Sequence, residues 1–173
     1  MTYVQPDLAL LRDFARYNRW ANARLYDSCA KLPEAEYLKP RASFFGSIHA
    51  TLNHILVADR IWMGRFIGHP SGIKALNQIL YPEFAGLRVA REAKDAQIVN
   101  WCDALDLPTL NGAFHYQTTQ GEPQAWPLRL LVHHMFNHQT HHRGQAHGLL
   151  SQTAVAPPPL DLLAWAREIA APG

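Results

Sequence analysis

Residues 133–147 read HHMFNHQTHHRGQAH and carry six of the chain's ten histidines. The stretch is threaded through an apolar pattern in which Leu128, Leu131, Met135, His138, His142, Gln145 and Leu149 recur at alternating steps of three and four. At ~100° per residue these positions stay within roughly an 80° arc, the width of the stripe that an amphipathic helix turns toward a core. His138 and His142 thus stand where core residues belong, one turn apart on one face. Two stacked imidazoles in an apolar interior each need either a hydrogen-bond partner or a shared metal ion. That choice constrains the rest of the chain.

The remaining pattern is helical. Pro6-Asp7 opens a helix with Leu10, Phe14, Tyr17, Ala21 and Leu25 at helical spacing, fading at Leu32-Pro33. Residues 33–46 read as a connection. Ser47 caps a second helix carrying Ile48, Leu52, Ile55, Trp62 and Phe66, ended by Gly68-His69-Pro70. Residues 69–82 are longer than a tight hairpin between antiparallel neighbours needs, which suggests a crossing of the bundle end. A third helix is expected over Glu83–Asp106, with Phe84, Leu87, Val89, Ala90, Ile98 and Trp101 as its apolar members. The alternation Phe114, Tyr116, Thr118 before Gln120-Gly121 predicts a short hairpin. Pro127 suits the first position of the fourth helix, which extends to about Gln152. Ala156–Pro159 is a rigid break before a terminal helix, Leu160–Ile169. The expectation is an all-α four-helix bundle in one domain, residues 1–173, with a small hairpin and a C-terminal helix.

Composition excludes several classes. Charged residues make up 17% and the net charge is +2, with no run of like charge, so nucleic acid is not an expected partner. Cys29 and Cys102 form no CxxC pair and read as small buried hydrophobes in a reducing, cytoplasmic setting. No secretion signal is evident, and no apolar run approaches the ~20 residues of a membrane helix.

A histidine pair supplies two ligands where a zinc-like site takes at least three from the protein. His54 is the better third donor, lying beside the apolar stripe of the second helix. His49, at the helix entry, is its competitor. Between Pro127 and Gln152 there is no Asp or Glu, which excludes a di-iron carboxylate site. Gln139 stands where the HExxH motif needs Glu. What remains is a three-histidine mononuclear site with open positions, able to activate water or polarise an oxygen or sulfur ligand. The alternative is a set of satisfied core histidines. His134 and His141 fall off the stripe centre as flanking residues, and His133 and His147 face away from it. Asp59 is a candidate partner for a cation such as Arg143. Gly144, costing ~1 kcal/mol in mid-helix relative to Ala, implies either close approach by another backbone or a neutral surface position. Trp20 and Trp62 read as core anchors. Val132, Phe136, Ala146 and Leu150 form a second apolar group on the fourth helix, a face for the terminal helix or a second copy.

Three blocks, YNRWANARLY (17–26), FFGSIHATLNHILVADRIW (44–62) and WPLRLLVHHMFNHQTHHRGQ (126–145), closely resemble the DinB-like (YfiT-type) metalloenzyme family, named for damage-inducible bacterial genes. The ending HxxxHRGQ and the segment TLNHILxAD are its specific elements. The resemblance implies an up-down-down-up bundle with one long crossover, often a homodimer. It implies one divalent metal ion per chain, zinc or nickel, held by His54, His138 and His142. It also implies either thiol-dependent S-transfer, with a low-molecular-weight thiol, or metal-dependent hydrolysis of a small molecule. A non-catalytic metal-binding stress-response protein is the alternative.

Overall fold

In a computed structural model, described here over residues 8–171, the chain is mostly helical with one small sheet. Four long helices dominate: α1 (Leu8–Cys29), α3 (Ile48–Phe66), α4 (Phe84–Ala104) and α6 (Leu128–Leu150). Short helices α2 (Glu34–Leu38) and α5 (Leu107–Asn111) fill two connections, and α7 (Leu162–Ala170) follows the proline-rich break. Strands β1 (Ala113–Gln117) and β2 (Pro123–Pro127) pair antiparallel, with Phe114 opposite Trp126 and Tyr116 opposite Gln124. The expected start of α1 at Pro6-Asp7 lies outside the described residues. No helix among the described residues is long and apolar enough to cross a membrane.

Each long helix follows from its sequence. Ser47 is extended and its Oγ accepts from the Ala50 amide at 3.0 Å, satisfying one of the free donors that open α3. At the other end, Gly68 at φ 72° lets the chain reverse. Before it, Gly64 meets the returning backbone: a Cβ there would lie 2.7 Å from the His69 carbonyl oxygen. The close approach expected at Gly144 is absent, since a Cβ there would meet nothing within 4 Å. Pro127 ends β2 and stands just before α6, so the helix starts one residue later than expected. The connections read as irregular include α2 and α5, the latter capped by the Asp106 carboxylate on the Thr109 amide at 2.8 Å.

Side-chain pairs give the helix directions. Arg16 with Asp103 and Asn22 with Asp95 place α1 antiparallel to α4. His54 with His142 and Trp62 with His134 place α3 antiparallel to α6. Phe14 with Phe136 and Asn18 with Arg143 run α1 and α6 together, while Asp59 with Arg91 and Phe66 with Trp101 run α3 and α4 together. The parallel α3–α4 step is made by the long connection over residues 67–83.

Besides a small cluster of Tyr17, Ala21 and Trp165 where α7 meets α1, the core has two main clusters. One cluster gathers Leu11, Ala15, Met63, Ile98, Val132 and Phe136; the other gathers Leu25, Ile48, Leu52, Leu87, Ala146 and Leu150. Between them every long helix contributes buried polar groups: Asn18 and Asn22, Asp59, Arg91 and Asp95, and Gln139 and Arg143. The stripe read on α6 is buried at Leu128, Leu131, Met135, His142 and Leu149 and half-buried at His138 and Gln145, and the buried face extends past it to Val132, Phe136, Gln139, Arg143, Ala146 and Leu150. The second apolar group on α6 is therefore interior, packed with α1 and its neighbours, and is not a face available to a second copy. Cys29 and Cys102 are buried and unpaired, and burial pushes both thiols up to about 12.

Candidate metal centre

The structure brings His54, His138 and His142 together. Helix α6 presents the last two one turn apart, and antiparallel packing delivers His54 of α3 against them. The His54 Nε2 atom lies 3.3 Å from His138 Nε2 and 3.2 Å from His142 Nε2. His54 and His142 are buried and His138 is half-buried, and the three ligand nitrogens lie within 4.8 Å of one another. His49 is placed elsewhere, with Nδ1 against the Tyr37 hydroxyl at 3.1 Å and Nε2 facing Asn53. His133 is turned to the Arg129 carbonyl, and His147 to the Pro158 carbonyl. His134 flanks the cluster, its ring 6.0 Å from that of His138 and 5.2 Å from Trp62.

The hydrogen bonds on the far side of each ring decide what the cluster can hold. His54 Nδ1 lies 2.8 Å from the Leu76 carbonyl oxygen, which can only accept, so Nδ1 carries the proton and Nε2 presents a lone pair. His142 Nδ1 lies 2.8 Å from Gln145 Oε1, and the Gln145 amide nitrogen faces His141 Nε2 at 3.2 Å. With Nδ1 donating to that oxygen, His142 Nε2 presents a lone pair too. Two lone pairs held 3.2 Å apart repel unless a cation lies between them. Two nitrogens on one ion at ~2.0–2.1 Å, in tetrahedral geometry, stand roughly 3.3 Å apart, the spacing found. The donor set fits a divalent ion of the zinc type, and the outer hydrogen bonds are of the kind that orients metal-bound imidazoles.

Electrostatics point the same way. Burial, with the neighbouring His142 and His54, pulls His138 down to about 3. Burial likewise lowers His54 and His142, opposed by the Leu76 and Gln145 hydrogen bonds respectively. All three are neutral near pH 7, the form that coordinates. Phe45 stacks on His54 with ring centroids 4.0 Å apart and meets His142 edge-on at 5.4 Å, covering one side of the cluster.

Sequence reasoning missed three supporting groups. Gln145 was in the stripe without a role, although its spacing of three from His142 is the signal for a side-chain partner. Phe45 immediately precedes the Gly46-Ser47 entry to α3, a placement that puts an aromatic ring over the first turns. The Leu76 carbonyl has no signal, because any residue supplies one. Asp59 does not pair with Arg143, as expected, but with Arg91, and it also accepts from Gln139 Nε2 at 2.8 Å. Arg143 donates to Asn18 and Asn22 instead.

A helical protein with a three-histidine cluster is the class that these features define. The DinB family model matches residues 5–170, so the chain belongs to the DinB family. It is 28% identical over 169 residues to Protein DinB of Bacillus subtilis (strain 168), covering 87% of this chain and 92% of that relative.

Proposed function

We propose that this chain is a metal-dependent enzyme acting on a small electrophile. His54, His138 and His142 would hold one divalent ion, zinc or nickel, and a low-molecular-weight thiol or water would be the second reactant. The observation that carries the reading is the convergence of three Nε2 atoms, on His54, His138 and His142, with the Nδ1 atoms of His54 and His142 already engaged. When bound, a divalent ion supplies Lewis acidity to an oxygen or sulfur ligand and favours its deprotonated form.

The chain's own residues orient and shield. Leu76 and Gln145 hold two imidazoles in one tautomer, and Phe45 excludes water from one side. The half-buried His138 marks the approachable side. His134 stands beside it, partial desolvation lowering it from the ordinary imidazole value, as a group able to exchange a proton. No carboxylate joins the cluster among the described residues, and Asp59 is spent on Arg91 and Gln139. A thiol, which ionises far more readily than water, needs no strong general base, and this favours S-transfer over hydrolysis. A homodimer is part of the proposal, formed by a surface other than the interior face of α6; sedimentation should then report two chains.

The direct test is turnover of a panel of electrophiles by metal-loaded protein, with and without a small thiol. Metal-dependent, thiol-dependent product formation that is lost in His138→Ala is expected. An inert metal-loaded protein whose ion has no exchangeable position would contradict the reading.

A further inference from the structure

A second polar feature lies along α3 from the histidines. Residues 54, 61 and 65 fall within an arc of ~40° on one helix face, with Arg65 ~16 Å beyond His54 along the axis. Arg65 is half-buried, its guanidinium 4.7 Å from the centre of the Trp62 ring and 4.8 Å from that of Tyr116. Burial pulls its charge below the ordinary range, and no carboxylate among the described residues is paired with it. An aromatic clamp fixes a guanidinium in place while leaving its fork of donors unspent.

Those donors border a cavity of about 420 Å³ between the 70–74 segment and β1. Its wall includes Arg65, Lys74, Ser71, His115, Thr118 and Thr119, and no Asp or Glu contributes to it. Volume, two cations and three hydroxyls suit a small anionic molecule. The cavity is connected to the histidines in two ways. Trp62, which carries Arg65, packs on His134, and His134 packs on His138. The connection that walls the cavity at residues 70–74 also delivers the Leu76 carbonyl to His54.

We propose that this cavity is an anion subsite, seating the carboxylate or phosphoryl group of a small molecule whose other end reaches the histidine cluster. The link to chemistry rests on the cluster being the reaction centre; the anion site itself does not. Arg65 leans back toward the N-terminal end of α3, so the ligand is shorter than the backbone separation.

Calorimetric titration of the metal-loaded protein with inorganic phosphate and with succinate tests this. At least one should bind, and the tighter of the two identifies the anion class. Arg65→Gln should weaken it roughly tenfold or more, the loss expected for a charge-assisted pair. Lys74→Gln, at an exposed position that folding does not need, should weaken it several-fold. His138→Ala should leave anion affinity intact even though it empties the metal centre, so a failure of the metal reading would not imitate a failure here. Unchanged affinity in both Arg65→Gln and Lys74→Gln would overturn the proposal. So would loss of binding in His138→Ala, or no binding of either anion.

Discussion

The histidine cluster, on α3 and α6, and the Asp59–Arg91–Asp95 layer, on α3 and α4, treat buried polarity in opposite ways. The layer nearly closes on itself. Arg91 is ion-paired to Asp59 and Asp95, Asp95 also accepts from Asn18 and Asn22, and Arg143 bonds those two asparagines in turn. Two arginines balance two aspartates, and Arg91 Nε and Gln139 Oε1 are left unpaired. Burial opposes the Arg91 charge, but Asp95 and Asp59 outweigh it and hold the guanidinium above its ordinary range. The histidine cluster does not close: the outer nitrogens of His54 and His142 are satisfied, and the Nε2 atoms of all three rings face one another. A closed network fixes the register of four helices, whereas an open one presents converging donors. Arg65 is the complementary case, a donor set without an acceptor.

The largest expected effect breaks the closed side. Arg91→Ala strands two buried carboxylates and should cost ~3–5 kcal/mol, read by denaturant unfolding. His138→Ala in metal-free protein should cost about 1 kcal/mol or less, because it also relieves crowding among facing Nε2 atoms. Equal losses at the two positions would erase the distinction. Next in size is Gly64→Ala, which pushes a methyl group into the His69 carbonyl and should cost ~1–3 kcal/mol. Because that backbone runs on toward Leu76, the same variant should also weaken metal binding; unchanged affinity would separate the connection from the site.

Acid distinguishes the two regions by sign. His138 has its folded value lowered from 6.5 to about 3, so in metal-free protein the unfolded chain takes a proton first and stability falls as pH drops through that window. Asp95 is raised from 3.8 to about 6, chiefly by burial against the opposing pull of Arg91. Its contribution therefore runs the other way, with stability falling as pH rises from 3.8 to about 6. Between pH 4 and 6, His138→Phe should flatten the rise of stability with pH and Asp95→Asn should steepen it. Thermal melts across that range would show both, and slopes unchanged by either substitution would remove the assignment.

Much of this was legible in the sequence, and the failures share a cause. The long helices were readable because their apolar residues recur at helical spacing, and His138 and His142 because they sit inside such a stripe. The buried face of α6 is wider than its stripe because Gln139 and Arg143 look like surface residues; only partners on α1 and α3 make them interior. The same non-local choice gave Asp59 the wrong arginine, since nothing in α3 announces that α4 will bring Arg91 to it. Val89, taken as apolar stripe, is exposed because α4 turns Arg91 and Asp95 inward instead. Pairing partners are a property of the packed helices, whereas stripes belong to each helix alone.

The central claim is that the open cluster exists to hold a cation, and metal content tests it most directly. Elemental analysis of protein never exposed to chelator or acid should find about one divalent ion per chain. The ion should be absent from His138→Ala and His142→Ala, and weakened more by His54→Ala than by His49→Ala. Protein with no bound ion, unable to take up zinc or nickel on addition, would contradict the account.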